Sequence, residues 1–175
     1  MNSLIHLDEV QKAGFVGDEI IFTSSALDKT TMSKISESGA QLNLDSPNQL
    51  KQWQNMFPDI RVGIRCNIGD KVEPYSTRAG FFIDKQSRLG FTVEEMQSIG
   101  NKSFIRGLHL YVGTDIFDIK YFLNCYTELI ELSKIFPNLE YLNFGGGFGV
   151  SEDGETNFDV RTFGVKVTEL MQKAS

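Results

Sequence analysis

The chain is poor in the residues that build covalent or metal-held scaffolds, with two cysteines and two histidines in 175 residues. With only two cysteines, Cys66 and Cys125, far apart and in apolar surroundings, no disulfide framework is expected, and no cysteine–histidine spacing suits a metal ion. We expect no metal and a reducing, cytoplasmic setting. No apolar run approaches the roughly 20 residues of a membrane-spanning helix. The N-terminus, Met1-Asn-Ser-Leu-Ile-His6, lacks the basic-then-apolar order of a secretion signal. Basic clusters are also missing. With 17 lysines and arginines against 23 acidic residues, the net charge is −6, which argues against a nucleic-acid surface.

A hydrophobic content of 41% is enough for one buried core. Short apolar runs rich in β-formers recur at Ile20–Thr23, Gln41–Asp45, Arg61–Asn67, Ile105–Tyr111 and Leu139–Phe144, and helical patterns separate them. Asp28 or Thr30 can cap a helix running to about Ser38. Ser46-Pro-Asn-Gln49 combines a cap, a proline at the first helical position and a glutamine at the third. That helix presents Leu50, Trp53 and Phe57 on one face and stops at Pro58. Thr92-Val-Glu-Glu95 is a second capping box, and the longest helix should span about Ile116 to Phe136, ended by Pro137. A polar, turn-rich insertion (Pro74, Ser76, Thr77, Arg78, Gly80) interrupts the alternation between Gly69 and Leu89. Strand, helix, strand with short connections predicts parallel βα units. A closed (β/α)₈ barrel typically needs about 200 to 250 residues, so five strands imply an open sheet or part of a barrel.

In such folds ligands gather at the carboxyl ends of the strands. Three ends carry chemistry: Arg65-Cys-Asn-Ile-Gly-Asp70, Gly107-Leu-His-Leu-Tyr-Val-Gly-Thr114, and Leu142-Asn-Phe-Gly-Gly-Gly-Phe148. The glycine triplet admits two readings: amides held close to a phosphate, or a tight strand-to-helix turn with no ligand. His109 reads equally as a buried strand residue or as a ligand-facing one. His6, Glu94, Glu95, Glu128 and Glu131 read as surface residues, and Cys66, Cys125 and Trp53 as core.

These segments, in this order, resemble the fold-type III PLP-dependent amino-acid decarboxylases (the ornithine, diaminopimelate and arginine decarboxylase group). Tyr75-Ser-Thr-Arg78 and Ser87-Arg-Leu-Gly-Phe91 match a loop of that family. Gly107–Thr114 matches its Gly-x-His-x-His-x-Gly-Ser segment, and Leu142–Phe148 its phosphate-binding glycines. The resemblance implies a parallel TIM-type (β/α) barrel, here an incomplete one of about five βα units. It also implies pyridoxal 5'-phosphate (PLP) as cofactor, a basic amino acid or diamino acid as substrate, and a homo-oligomer. Carried over by position, Gly145, Gly146, Gly147 and Phe148 form the phosphate segment and Thr114 supplies a hydroxyl to it. Tyr111 takes the place of a ring-stacking histidine, His109 matches the first histidine of the pattern, and Arg65 supports the site.

Tyr111 keeps an aromatic face but loses a titratable imidazole, and Thr114 replaces a serine. The family's Schiff-base lysine ends an earlier barrel strand, and none of the eleven lysines here ends a buried strand. No catalytic residue is therefore assigned. Residues 1–175 are expected to be a partial PLP-binding barrel domain, lacking the lysine-bearing strands and the C-terminal β-domain and inactive alone. Two other readings stay open: a non-enzymatic PLP- or partner-binding descendant, and an unrelated phosphate-binding barrel enzyme. An incomplete barrel should also expose an apolar interior face and two strand edges, favouring association of copies.

Overall fold

The computed structural model describes residues 1–75, 82–151 and 158–174. The described elements run α1 (Leu4–Lys12), β1 (Ile21–Thr23), α2 (Lys29–Ser38), β2 (Gln41–Leu44), α3 (Pro47–Met56) and β3 (Val62–Cys66). They continue with α4 (Val93–Ser98), β4 (Ile105–Leu110), α5 (Ile119–Ser133), β5 (Tyr141–Asn143) and α6 (Val160–Ala174). All five expected strands are present, each shorter by one to three residues. Local chemistry sets the helix starts. Asp28, not Thr30, caps α2 by accepting the Thr31 N–H at 2.7 Å, Ser46 caps α3 ahead of Pro47, and Thr92 and Glu95 form the reciprocal box of α4. The longest helix begins later than expected because Asp118 takes the Lys120 and Tyr121 amides. Ser76, Thr77, Arg78 and Gly80 of the expected insertion lie outside the described residues.

The sheet is parallel throughout and its spatial order is its chain order, β1-β2-β3-β4-β5. Right-handed crossovers in that order put every intervening helix on one face, so the sheet curls as a half-barrel, not as a doubly wound sheet. The helix-facing positions Phe22, Leu42, Leu44, Ile64, Cys66, Leu108 and Leu110 are buried and meet Met32, Ile35, Trp53, Phe122 and Tyr126 in one core. At the amino ends, Glu140 bridges Arg61 and Arg106, each at 2.6 Å. At the β1 edge the Met1 ammonium donates to the Ile21 carbonyl and the Thr23 amide donates to the Met1 carbonyl, both at 2.9 Å.

The opposite, concave face differs from the expected apolar one. Register aligns Thr23, Asn43, Gly63, Gly107 and Tyr141 in one row across the sheet. The Tyr141 hydroxyl donates to Asn43 Oδ1 at 2.7 Å, and Asn43 Nδ2 donates to Thr23 Oγ1 at 3.1 Å. A side chain on Gly63 or Gly107 would run into Tyr141, which lies across both. The face is polar because its hydrogen bonds run from strand to strand within the row, so an open half-barrel exposes little apolar surface there.

Replacing Tyr141 with phenylalanine strands the buried Asn43 Oδ1 without a donor, and should cost about 1–2 kcal/mol in urea unfolding. An unchanged unfolding midpoint would show that the tyrosine does not clasp this row.

Candidate functional site

Beyond β5 the chain enters Gly145, Gly146 and Gly147, and the three differ. Gly145 and Gly147 have φ of +72° and +95°, and the space a Cβ would fill is taken by the Leu110 and Gly113 carbonyl oxygens respectively. Gly146 has neither constraint, and the space beside its Cα is open. Two backbone bonds lace this turn to the loop after β4: Ile116 N–H to Gly147 O at 3.0 Å, and Gly149 N–H to Ile116 O at 2.9 Å. Gly145 and Gly147 therefore meet a packing requirement whether or not a ligand is present. Among the described residues no acceptor meets the Gly146 and Gly147 amides.

Thr114 lies exposed on the adjoining loop, with its Cα beside Gly147. The Phe148 ring turns away into an aromatic cluster with Phe122, Phe158 and Phe163 at 5.0, 4.8 and 5.0 Å between ring centres. What Phe148 offers the turn is backbone.

One row below the turn, register brings charged and polar side chains together. Arg65 pairs with His109 and His109 with Asn143 across the strands, while Asp45 follows two residues after Asn43 on the same face. The Arg65 guanidinium donates to Asp45 Oδ1 at 3.3 Å, and both residues are buried. Burial pushes the Asp45 carboxyl up and the Arg65 guanidinium down, each opposed by its partner's charge. The segment Ser87–Phe91 docks against the end of β3, through Phe91 N–H to Arg65 O at 2.8 Å and Asn67 N–H to Phe91 O at 2.7 Å. This brings the Gly90 amide to the Asp45 carboxylate. Asn67 secures the following loop, accepting from the Gly69 amide at 3.0 Å and donating to the Asp84 carbonyl at 2.9 Å.

Burial, and then the neighbouring Arg65 charge, lower the His109 imidazole to about 4, so the ring is neutral at neutral pH. Its Nδ1, with Nε and Nη2 of Arg65, is buried without a partner among the described residues. Tyr111 follows two residues later on the same strand. It is half-buried, and Phe82 meets it edge-on at 4.9 Å. None of the eleven lysines is buried. No cluster of metal-binding side chains occurs among the described residues.

Arg65, His109, Tyr111, Thr114 and the glycines thus converge on neighbouring strand ends, Phe148 by its backbone alone. The sequence reading missed Asp45 and Asn143 as members of the group. Their signal is the parallel register, which aligns positions 45, 65, 109 and 143 although no local spacing relates them. The arrangement offers free amides and a hydroxyl to an anion, an aromatic face beside it, and a neutral imidazole below.

The sequence matches the family model described as "Pyridoxal-dependent decarboxylase, pyridoxal binding domain" over residues 1–174. It is 24% identical over 174 residues to the diaminopimelate decarboxylase of Methanothermobacter thermautotrophicus, covering 91% of this chain and 40% of that protein. A biosynthetic arginine decarboxylase of Thermosynechococcus vestitus is 30% identical over 110 residues, 55% of this chain and 17% of its own length. Among solved structures, the diaminopimelate decarboxylase of Helicobacter pylori complexed with L-lysine superposes with a TM-score of 0.77 at 16% identity, covering 95% of this chain and 45% of that one. The chain spans less than half the length of these relatives.

The lowered His109 value has a testable sign. A histidine held below its unfolded value of 6.5 contributes stability that is present above that pH and lost as the pH falls towards 4. The loss should reach on the order of 3 kcal/mol. The raised Asp45 carboxyl acts in the opposite direction, so the comparison is between wild type and His109→Gln by urea unfolding across this range. The variant should lack the histidine's share of the decline; parallel profiles would contradict the assignment.

Proposed function

The chain belongs to the pyridoxal-dependent decarboxylases, through their pyridoxal-binding domain, and from that premise we propose that it carries the phosphate end of a PLP site. The enzyme so served would decarboxylate a basic amino acid or diamino acid. The observation that carries the reading is the turn at 145–147, where there is open space at Gly146, the Gly146 and Gly147 amides meet no acceptor among the described residues, and the exposed Thr114 has its Cα beside Gly147. These groups fit a phosphate. When bound, PLP supplies the electron sink for the bond that breaks as CO₂ leaves.

The chain's own residues bind and orient. Gly146, Gly147, Thr114 and the Phe148 backbone would hold the phosphate, with Gly145 shaping the turn. Tyr111, steadied by Phe82, would present its ring to the cofactor's. Arg65, fixed by Asp45, would keep a buried positive charge in the row next to the glycine turn, and His109 would stay uncharged beside it. No proton step is assigned to Tyr111.

Residues 1–175 act in this reading as part of the barrel domain, with the lysine and the substrate-reading groups supplied from outside it. A second reading, a PLP- or partner-binding barrel without chemistry, is favoured by one observation: all eleven lysines lie in helices, loops or helix ends, none buried. The two cysteines, buried and unpaired, suit a reducing cytoplasm. The outer edge of β5, with no strand beyond it among the described residues, favours a homo-oligomer.

Equilibrium dialysis against PLP, followed by borohydride reduction and mass mapping, tests the proposal. One exchangeable PLP per chain should be retained, with reduced label sparse and scattered over surface lysines. Either no retention of PLP, or one lysine labelled at high occupancy, would contradict it.

A further inference from the structure

Asn143 is the last residue of β5, and its side chain reaches forward to the glycine turn. Its Oδ1 accepts the Gly145 N–H at 2.9 Å. Its cross-strand partner is His109, and the two side chains interact. Gly145 itself is fixed from the other side, where the Leu110 carbonyl takes the space of a side chain and φ is +72°. The Gly145 amide is therefore already engaged inside the protein, while those of Gly146 and Gly147 meet no acceptor among the described residues. This separates the triplet by role. Position 145 turns the chain with its amide engaged, while positions 146 and 147 leave their amides without an acceptor among the described residues.

We propose that Asn143 is a positioning residue for the anion site: by holding the Gly145 N–H inward, it sets the turn so that the Gly146 and Gly147 amides point at the ligand. The inference rests on the phosphate-cradle reading above, and it corrects the view that all three glycine amides serve the ligand. An asparagine side chain suits the task because its carbonyl spans the two-residue step to a backbone N–H. Its half-buried place strengthens that bond relative to water. The residue touches no reacting atom, and it acts through the backbone.

Two substitutions in the full chain test this, Asn143→Ala and Asn143→Asp, read by amide hydrogen exchange at single residues and by equilibrium dialysis against PLP. In N143A the Gly145 amide should exchange at least roughly tenfold faster, as expected for one lost hydrogen bond. Exchange at Ile64 and Leu108, in the core strands, should keep its wild-type rate, which a general loss of folding would not allow. PLP affinity should fall roughly tenfold in the same variant. N143D keeps an acceptor oxygen at the same reach and should keep the Gly145 amide protected. Unchanged Gly145 exchange in N143A, or faster exchange with unchanged PLP affinity, would overturn the proposal. If the wild-type chain retains no PLP, the phosphate-cradle reading fails, and the Gly145 exchange in the two variants alone decides whether Asn143 sets the turn.

Discussion

At the glycine turn the loops that leave β4 and β5 pack backbone against backbone. The Leu110 and Gly113 carbonyl oxygens occupy the positions where side chains on residues 145 and 147 would stand, and two hydrogen bonds through Ile116 close the contact. Any residue larger than glycine at 145 or 147 would have to separate the loops and adopt a strained φ as well. This packing sets the Gly147 backbone beside the Thr114 Cα, with the amides of 146 and 147 meeting no acceptor among the described residues. The proposed anion site follows from this contact. It is a consequence of how two strand ends pack, with Gly146 as the one member whose smallness serves no packing need.

Below that contact, parallel register does the organising. It lines up Arg65, His109 and Asn143 on one level, and the Arg65–Asp45 bond joins β2 to the same row. Buried charges of this kind contribute little net stability, but removing one partner leaves the other uncompensated, typically at about 3–5 kcal/mol. The pair therefore constrains what the row can become. It also explains the neutral imidazole, since a second positive charge beside Arg65 in a buried place is doubly unfavourable. The concave face is consequently polar, and an incomplete barrel does not imply an exposed apolar interior.

Much of this was legible before any coordinates. Five strands, the caps at Asp28, Ser46 and Thr92, and the strand ends that carry chemistry all follow from local pattern, because each depends on residues a few positions apart. The start of α5 was misjudged because Asp118 caps it inside the apolar pattern. What pattern could not supply were cross-strand facts: that Tyr141 lies over Gly63 and Gly107 and bonds Asn43, and that Asp45 meets Arg65. Each joins residues between 20 and 98 positions apart through a shared face of the sheet. The glycine triplet is the clearest case. Its composition suggested one role shared by three residues, whereas the structure divides it into two that pack and one that is open.

The central claim is that an anion is held by the amides of Gly146 and Gly147 with the hydroxyl of Thr114. The most direct measurement is a titration of the ¹⁵N-labelled chain with PLP, followed by the amide resonances. The account predicts saturable shifts that are largest at Gly146, Gly147 and Thr114, with inorganic phosphate at higher concentration moving the same resonances. Shifts centred on surface lysines, or none at the glycine turn at saturating PLP, would contradict it.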